Sequence, residues 1–333
     1  MILNSSKMLF MVILISSTMI TLSANNWMGM WMGLEMNLMS FIPLISKSKN
    51  KKSSQAMMTY FLTQSIGSIT LLFSILMNSL VFLYPKLINE LVVMMMMMSI
   101  MIKVGAAPFH FWLPEMMANL SWLECMLLMT WQKIAPLTVL NMMPKNQFLY
   151  ISIILSAIMG GVGGLNQTSL RKILAYSSIN HLGWMMMFMT MNVSWYKYLV
   201  IYSMLIIMVC MFMKMKNVFF INQLMTASPS VTEKITYTVL FLSLGGLPPF
   251  LGFLPKWMVI QSMINSNMYL LMVVMMLFSL LTLFYYLRMV MSFILSYSMI
   301  NKWVVYKASN KFLLLVFLLI NLSLPVLMAL GFF

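Results

Sequence analysis

GAAPFHFWLP (105–114) and GLPPFLGFLP (246–255) share the pattern G-x-x-P-F-x-x-x-L-P, and each lies inside a strongly apolar stretch. Lys103 stands two residues before the first copy and Lys256 directly after the second. Glycine and proline both interrupt helices: glycine gives the backbone freedom that ends a turn, and proline lacks the amide hydrogen and crowds the preceding carbonyl. Backbone groups freed inside an apolar segment must be met by protein or water, because lipid offers no partner. A lysine beside such a break needs a partner for the same reason. Two broken helices, each with a lysine, predict a path for a small ion, the proton first of all.

The chain around them has 333 residues, 62% hydrophobic and only 8% charged, too few polar groups to cover a globule in water. Lipid is the expected solvent, and the length suits ten or eleven spanning helices of about 20 residues each. Apolar runs between polar punctuation give eleven spans: 8–24, 26–46, 56–83, 87–119, 121–142, 147–166, 170–190, 195–214, 234–265, 268–296 and 312–331. The first run follows Lys7 as the core of a signal peptide would, yet with ten runs behind it and no clear cleavage site it reads as the first span. The expected fold is an all-α polytopic membrane protein in a single transmembrane domain.

Twenty basic residues face five glutamates, a net charge of +15. The bases sit in short loops, which argues against nucleic acid and for orientation in a membrane. With eleven spans, the N-terminal side holds Lys7, Lys47, Lys49, Lys51, Lys52, Arg171, Lys172, Lys214, Lys216, Lys234, Lys302, Lys307 and Lys311, and the opposite side only Lys86, Lys145 and Lys197. That bias places the N-terminus in the compartment of synthesis and the C-terminus across the membrane. KSKNKK (47–52) reads as a solvated turn able to meet anionic lipid. The 46 methionines, the scarcity of arginine and the absence of aspartate fit an AT-rich mitochondrial gene. Cys125 and Cys210 lie in apolar spans without ligand-like spacing, so neither a disulfide nor a metal site is expected.

The spans at 87–119 and 234–265 are too long: about 32 residues make roughly 50 Å of helix against a hydrocarbon core of roughly 30 Å. They contain both copies of the pattern and five of the eleven prolines, Pro108, Pro114, Pro248, Pro249 and Pro255. Lying five spans apart, they are expected to run in opposite directions, as the two discontinuous helices of an inverted repeat with halves 1–142 and 147–296. Residues 297–333 add a loop and a final helix.

Four bases fall inside spans rather than loops: Lys103, Lys133, Lys256 and Arg288. Each such charge costs about 2.5–3.5 kcal/mol at a helix centre, so those present are functional candidates. Arg288 is near a span end, where it can reach the surface. Glu35, beside the G-x-x-x-G pair Gly29 and Gly33, is the one glutamate near a span centre and the natural partner of Lys103. At ~4 Å and an effective dielectric near ~20 the two would attract by roughly 4 kcal/mol. His181, within YSSINHLGW, is a candidate proton relay because histidine titrates near neutrality; a hydrogen bond to a neighbouring helix is the plainer alternative. His110 reads either way. Glu90, Glu115, Glu124 and Glu233 sit at span ends as partners for loop lysines, with Glu115 and Glu124 also candidates for a way in. Lys103, Lys133, His181 and Lys256 fall at similar depth, which predicts a polar axis bridged by water. GGVGG (160–164) lacks phosphate-loop spacing and reads as helix packing. No haem or iron–sulfur spacing is present.

KVGAAPFHFWLPE (103–115), LRKILAYSSINHLGWM (170–185) and GGLPPFLGFLPKW (245–257) together resemble the subunit 2 family of mitochondrial NADH:ubiquinone oxidoreductase, respiratory complex I, over essentially the whole chain. The Met-rich, Asp-free composition resembles insect members. The resemblance implies an antiporter-like, proton-translocating module related to Mrp-type cation/proton antiporters. Glu35 and Lys103 match the family's Glu–Lys pair, Lys133 its bridging lysine, Lys256 the lysine of the second broken helix, and His181 its H-x-G-W motif. No cofactor is implied in this chain; FMN, iron–sulfur clusters and ubiquinone are expected in partner subunits. Implied partners are neighbouring antiporter-like and small hydrophobic core subunits of the membrane arm, accessory subunits, and lipids such as cardiolipin. The implied location is the inner mitochondrial membrane, with the N-terminus in the matrix and the C-terminus in the intermembrane space. Two alternatives stay open: a free-standing Mrp-type antiporter, and a structural subunit whose charges move no protons.

Overall fold

The computed structural model describes residues 5–46, 51–77, 85–227, 230–295 and 311–329. Among these residues every regular element is a helix, with one isolated bridge between Ser169 and Phe220. The chain forms two compact units, the first ending at Ser152 and the second beginning at Ile153.

The first unit holds α1 (Ser5–Ser23), α2 (Trp27–Ile45), α3 (Lys51–Met77), α4 (Pro85–Val104), α5 (Trp112–Asn119), α6 (Trp122–Met129), α7 (Trp131–Asn141) and the start of α8 (Gln147–Gly163). Helices α1, α2 and α3 pack in sequence, α3 lies on α4 and α5, and α7 contacts α1, α2 and α4. Met8, Val12, Met19, Phe61, Ile66 and Ile69 face outward, while Asn37, Gln64, Lys103 and Lys133 face inward. This inversion suits an apolar solvent: side chains such as Ile69 lose nothing to lipid, and polar groups shelter where protein can satisfy them.

The second unit holds the rest of α8, then α9 (Leu170–Thr190), α10 (Trp195–Lys216), α11 (Ile221–Ala227), α12 (Val231–Gly245), α13 (Phe253–Asn265), α14 (Tyr269–Leu295), α15 (Lys311–Asn321) and α16 (Leu324–Ala329). Every residue of α9 from Ser177 to Thr190 is buried, with α10, α13 and α14 packed around it. That central position puts Ser177, Ser178, Asn180 and His181 inside the unit. GGVGG does act in packing: a Cβ at Gly160 would lie 2.6 Å from the Asn180 backbone nitrogen.

Five described helices are long and apolar enough to cross a membrane: α1, α2, α3, α10 and the Tyr269–Met291 part of α14. Three local expectations need correction. The run 121–142 is not one helix; it is interrupted at Thr130, whose hydroxyl bonds back to the Met126 carbonyl at 2.7 Å, a contact that competes with regular helix geometry. The run 312–331 is likewise divided, between Asn321 and Leu324. Of the turn expected at 47–52, Lys51 and Lys52 already belong to α3, and 47–50 lie outside the described residues. So do 296–310, most of the loop expected before the final helix.

Candidate functional site

Both copies of the repeated pattern fold as a stop followed by a restart. Gly105 and Gly246 adopt positive φ, +77° and +79°, the conformation that closes a helix and that glycine takes without strain. Around Gly246 the closure is a Schellman arrangement: Leu247 N–H donates to the Leu242 carbonyl at 3.3 Å and Gly246 N–H to the Ser243 carbonyl at 3.0 Å. The second proline of each pattern, Pro114 or Pro255, is the third residue of the next helix, where its missing N–H would have had no intrahelical partner.

The carbonyls left at the end of α4 are met by neighbours. Met101 O accepts from Gly105 and Ala106 N–H at 3.0 and 3.2 Å. Ile102 O accepts from the Trp112 indole at 3.1 Å, and Lys103 O from the Gln64 amide at 3.2 Å. Lys103 is thus held through its own backbone, while its side chain points inward and is 2% exposed. Its Nζ lies 4.0 Å from Glu35 Oε1, and the Glu35 side chain is 23% exposed. At that separation the two are an ion pair without a hydrogen bond.

Lys133, in the first turn of α7, is 2% exposed. Lys103 and Lys133 line one cavity of about 20 Å³ with Asn37, Tyr60, Gln64, Trp112 and Gln132. That volume is on the scale of a single water. Gln132 Oε1 accepts from the Tyr60 hydroxyl at 3.3 Å, and its Nε2 donates to Asn37 Oδ1 at 3.0 Å.

In the second unit Lys256 lies in the first turn of α13 and donates from Nζ to the Gly245 carbonyl at 2.7 Å. A cation at this end of α12 meets both an orphan carbonyl and the negative end of the helix dipole. His181 Nδ1 and the Tyr198 hydroxyl are 2.8 Å apart, and the Tyr202 ring sits 4.9 Å from the imidazole. The plainer reading of His181, a hydrogen bond to a neighbouring helix, is therefore present.

With this geometry in view, a family model for NADH:quinone oxidoreductase/Mrp antiporter transmembrane proteins matches residues 24–282. The chain belongs to that antiporter family. NADH-ubiquinone oxidoreductase chain 2 of Locusta migratoria is 46% identical over 92% of this chain and 91% of its own length. In solved structures, a chain of respiratory complex I from Thermus thermophilus has the same fold at TM-score 0.85 and 18% identity, over 98% of this chain and 79% of its own. A chain of the Mrp complex from Dietzia sp. DQ12-45-1b is more distant, at TM-score 0.71 and 14% identity over 84% and 59%.

In this member of the antiporter family several of the other charges make local contacts. Arg288 donates to the Leu165 and Gln167 carbonyls after α8. Glu233 pairs with Lys216. Glu124 closes a capping box on Ser121, whose N–H reaches Glu124 Oε2 at 2.8 Å. The signal was available in the sequence as S-x-x-E. Glu115 is exposed. His110 is 2% exposed, with Nδ1 3.2 Å from the Pro108 carbonyl.

One substitution tests the second break. A Cβ at Gly246 would lie 2.9 Å from Lys256 Cδ and Nζ, and the left-handed backbone adds about 1–2 kcal/mol for alanine. Gly246→Ala is expected to lower the temperature at which the membrane-embedded protein aggregates on heating. Asparagine, which tolerates positive φ, is expected not to rescue it, because its side chain still meets Lys256. Full rescue by asparagine would mean that backbone strain alone matters here.

Proposed function

We propose that the chain is a proton-translocating membrane-arm subunit of NADH:ubiquinone oxidoreductase, a multi-pass protein of the inner mitochondrial membrane. One observation carries the ionic part: among the described residues Lys103, Lys133 and Lys256 are 5%, 2% and 5% exposed on apolar-faced helices, while the fourth buried lysine, Lys234 at 8%, stands in the first turn of α12. Lysines so placed are costly in a membrane protein unless they handle charge. The near-full-length likeness to an insect chain 2 supports membership in that complex rather than a free-standing antiporter. About eleven spans, with α4–α5 and α12–α13 as the discontinuous pair, are part of this reading. So are a matrix N-terminus, an intermembrane-space C-terminus and contact with lipids such as cardiolipin.

In this reading Glu35, Lys103 and Lys133 act in the first unit, and His181 and Lys256 in the second, with water carrying protons between polar groups. A proton reaching Lys103 changes its attraction to Glu35 across 4.0 Å, so the loose pair can exchange charge without first breaking a hydrogen bond. Redox chemistry at flavin, iron–sulfur clusters and quinone belongs to partner subunits. The complex couples to this chain by altering the field or packing around these residues.

Lys256→Met in the intact complex, reconstituted in vesicles, is the direct test. NADH-driven proton uptake by this module is expected to fall by on the order of 10²-fold, the scale of losing a positioned proton-transfer group. The Gly245 carbonyl also loses its donor, which costs about 1–3 kcal/mol when buried. Lys256→Gln restores a donor without a charge, and is expected to recover assembly but not proton uptake. An assembled Lys256→Met complex with the full proton yield per NADH would overturn the proposal. Exchange of Na⁺ or K⁺ for H⁺ by the purified chain alone would favour the antiporter reading.

A further inference from the structure

We infer that Gln132 is a positioning residue: clamped between Tyr60 and Asn37, it holds the first turn of α7 so that Lys133 stays on the cavity it shares with Lys103. The inference rests on the proton-translocating reading and extends it to neutral residues that this reading does not use.

The argument starts from how weakly α7 begins. The helix does not continue from α6, because the chain is interrupted at Thr130. Thr130 gives its neighbours no side-chain cap; its hydroxyl bonds backward to Met126 O at 2.7 Å. Four residues after Gln132 comes Pro136, which has no N–H for the Gln132 carbonyl. The opening turn therefore lacks a cap at its start and one hydrogen bond in its body, yet it carries a buried lysine.

The Gln132 side chain supplies the missing anchorage. Its oxygen accepts from Tyr60 on α3 at 3.3 Å, and its nitrogen donates to Asn37 on α2 at 3.0 Å. Both partners are themselves fixed. Tyr60 makes edge-on contacts with Phe41 and Trp112, at centroid distances of 5.2 and 6.0 Å, and Asn37 is 3% exposed. The same two helices hold the other lysine: Glu35 lies two residues before Asn37, and Gln64, one turn after Tyr60, caps the Lys103 carbonyl. Besides Glu35, the neutral groups Asn37, Tyr60 and Gln64 of α2 and α3 thus anchor the backbone on either side of one cavity, without adding a further charge.

The test uses the intact complex in vesicles, carrying Gln132→Met (similar length, no amide), Tyr60→Phe, both together, or Lys133→Met for reference. Readouts are assembly, proton uptake per NADH, and the pH profile of coupled turnover; the titratable groups around the cavity are Lys103, Lys133, Tyr60 and, facing Lys103, Glu35. Gln132→Met is expected to assemble and to lower coupled proton uptake by on the order of tenfold, within the range that a misplacement of about 1 Å can cost. Its pH profile is expected to move by about one unit, the ordinary spread that surroundings impose on a titrating group. Tyr60→Phe should move both readouts less, and the double variant no further than Gln132→Met, since both break one clamp. Wild-type yield and profile for Gln132→Met, with uptake lost in Lys133→Met, would overturn the clamp and leave the function standing. Wild-type yield in both would overturn the function and the clamp with it. If Gln132→Met does not assemble, Tyr60→Phe decides: a moved profile supports the clamp, and an unmoved one overturns it.

Discussion

Gly252→Ala is expected to remove the protein from the assembled complex almost entirely. A Cβ there would lie 1.7 Å from the Ser243 carbonyl oxygen and 2.7 Å from its carbon. Those atoms are backbone, so no side chain can swing aside; α12 and α13 would have to separate at the break. The glycine is demanded by this approach alone, because its φ and ψ of −69° and −12° suit any residue. Overpacking a core usually costs about 1–3 kcal/mol, and a backbone collision of this depth belongs with the exceptional substitutions above about 4–5 kcal/mol. Gly245→Ala is the matched control: its Cβ would meet nothing nearer than 3.6 Å, and normal abundance is expected. Amounts of assembled complex on a native gel decide the matter. Equal amounts for the two variants would mean that the close approach at Gly252 does not constrain the fold.

The second large effect concerns the ion pair. Glu35→Gln is expected to damage assembly more than Lys103→Met, because it strands the less exposed partner: the Lys103 side chain is 2% exposed and that of Glu35 23%. Removing one member of a buried pair costs about 3–5 kcal/mol, whereas replacing both with neutral groups is often tolerated. Lys103→Met/Glu35→Gln should therefore assemble better than Glu35→Gln. Proton yield should stay low in all three, since no combination restores the exchangeable charge. A double variant that assembles no better than Glu35→Gln would refute the pair as an energetic unit. Full proton yield in Lys103→Met would remove Lys103 from the pathway.

The interruptions at Gly105 and Gly246 were legible because glycine and proline state their effect locally, and the pattern stated it twice. The approach of Glu35 to Lys103 was legible by scarcity: one deeply placed acid leaves a deeply placed base few choices. The break at Thr130 is harder to read: TWQK (130–133) and Pro136 interrupt the apolar run, but a lysine inside a span signals function as readily as a helix end, and a threonine bonding back to its own helix leaves no trace in composition. The short α11 escaped because seven residues at a loop raise no apolar signal. Gln132, Tyr60 and Asn37 were not singled out for a different reason. Neutral polar residues are common in spans, and only the packing of three helices shows that these three meet. The Lys256 contact with Gly245 depended on a backbone carbonyl, and sequence does not display which carbonyls a fold leaves open.

That contact makes the two breaks different kinds of joint. At the first, the loose carbonyls of α4 are fastened by an indole and an amide, groups whose hold is indifferent to the passage of a proton. At the second, the fastening is Lys256, the group proposed to carry charge. A proton arriving at or leaving Lys256 alters how firmly the end of α12 is gripped, so the same event that moves charge also loads or slackens the backbone. One break is a weld and the other a clutch, and only the clutch can turn the state of a single side chain into a push on the helices around it.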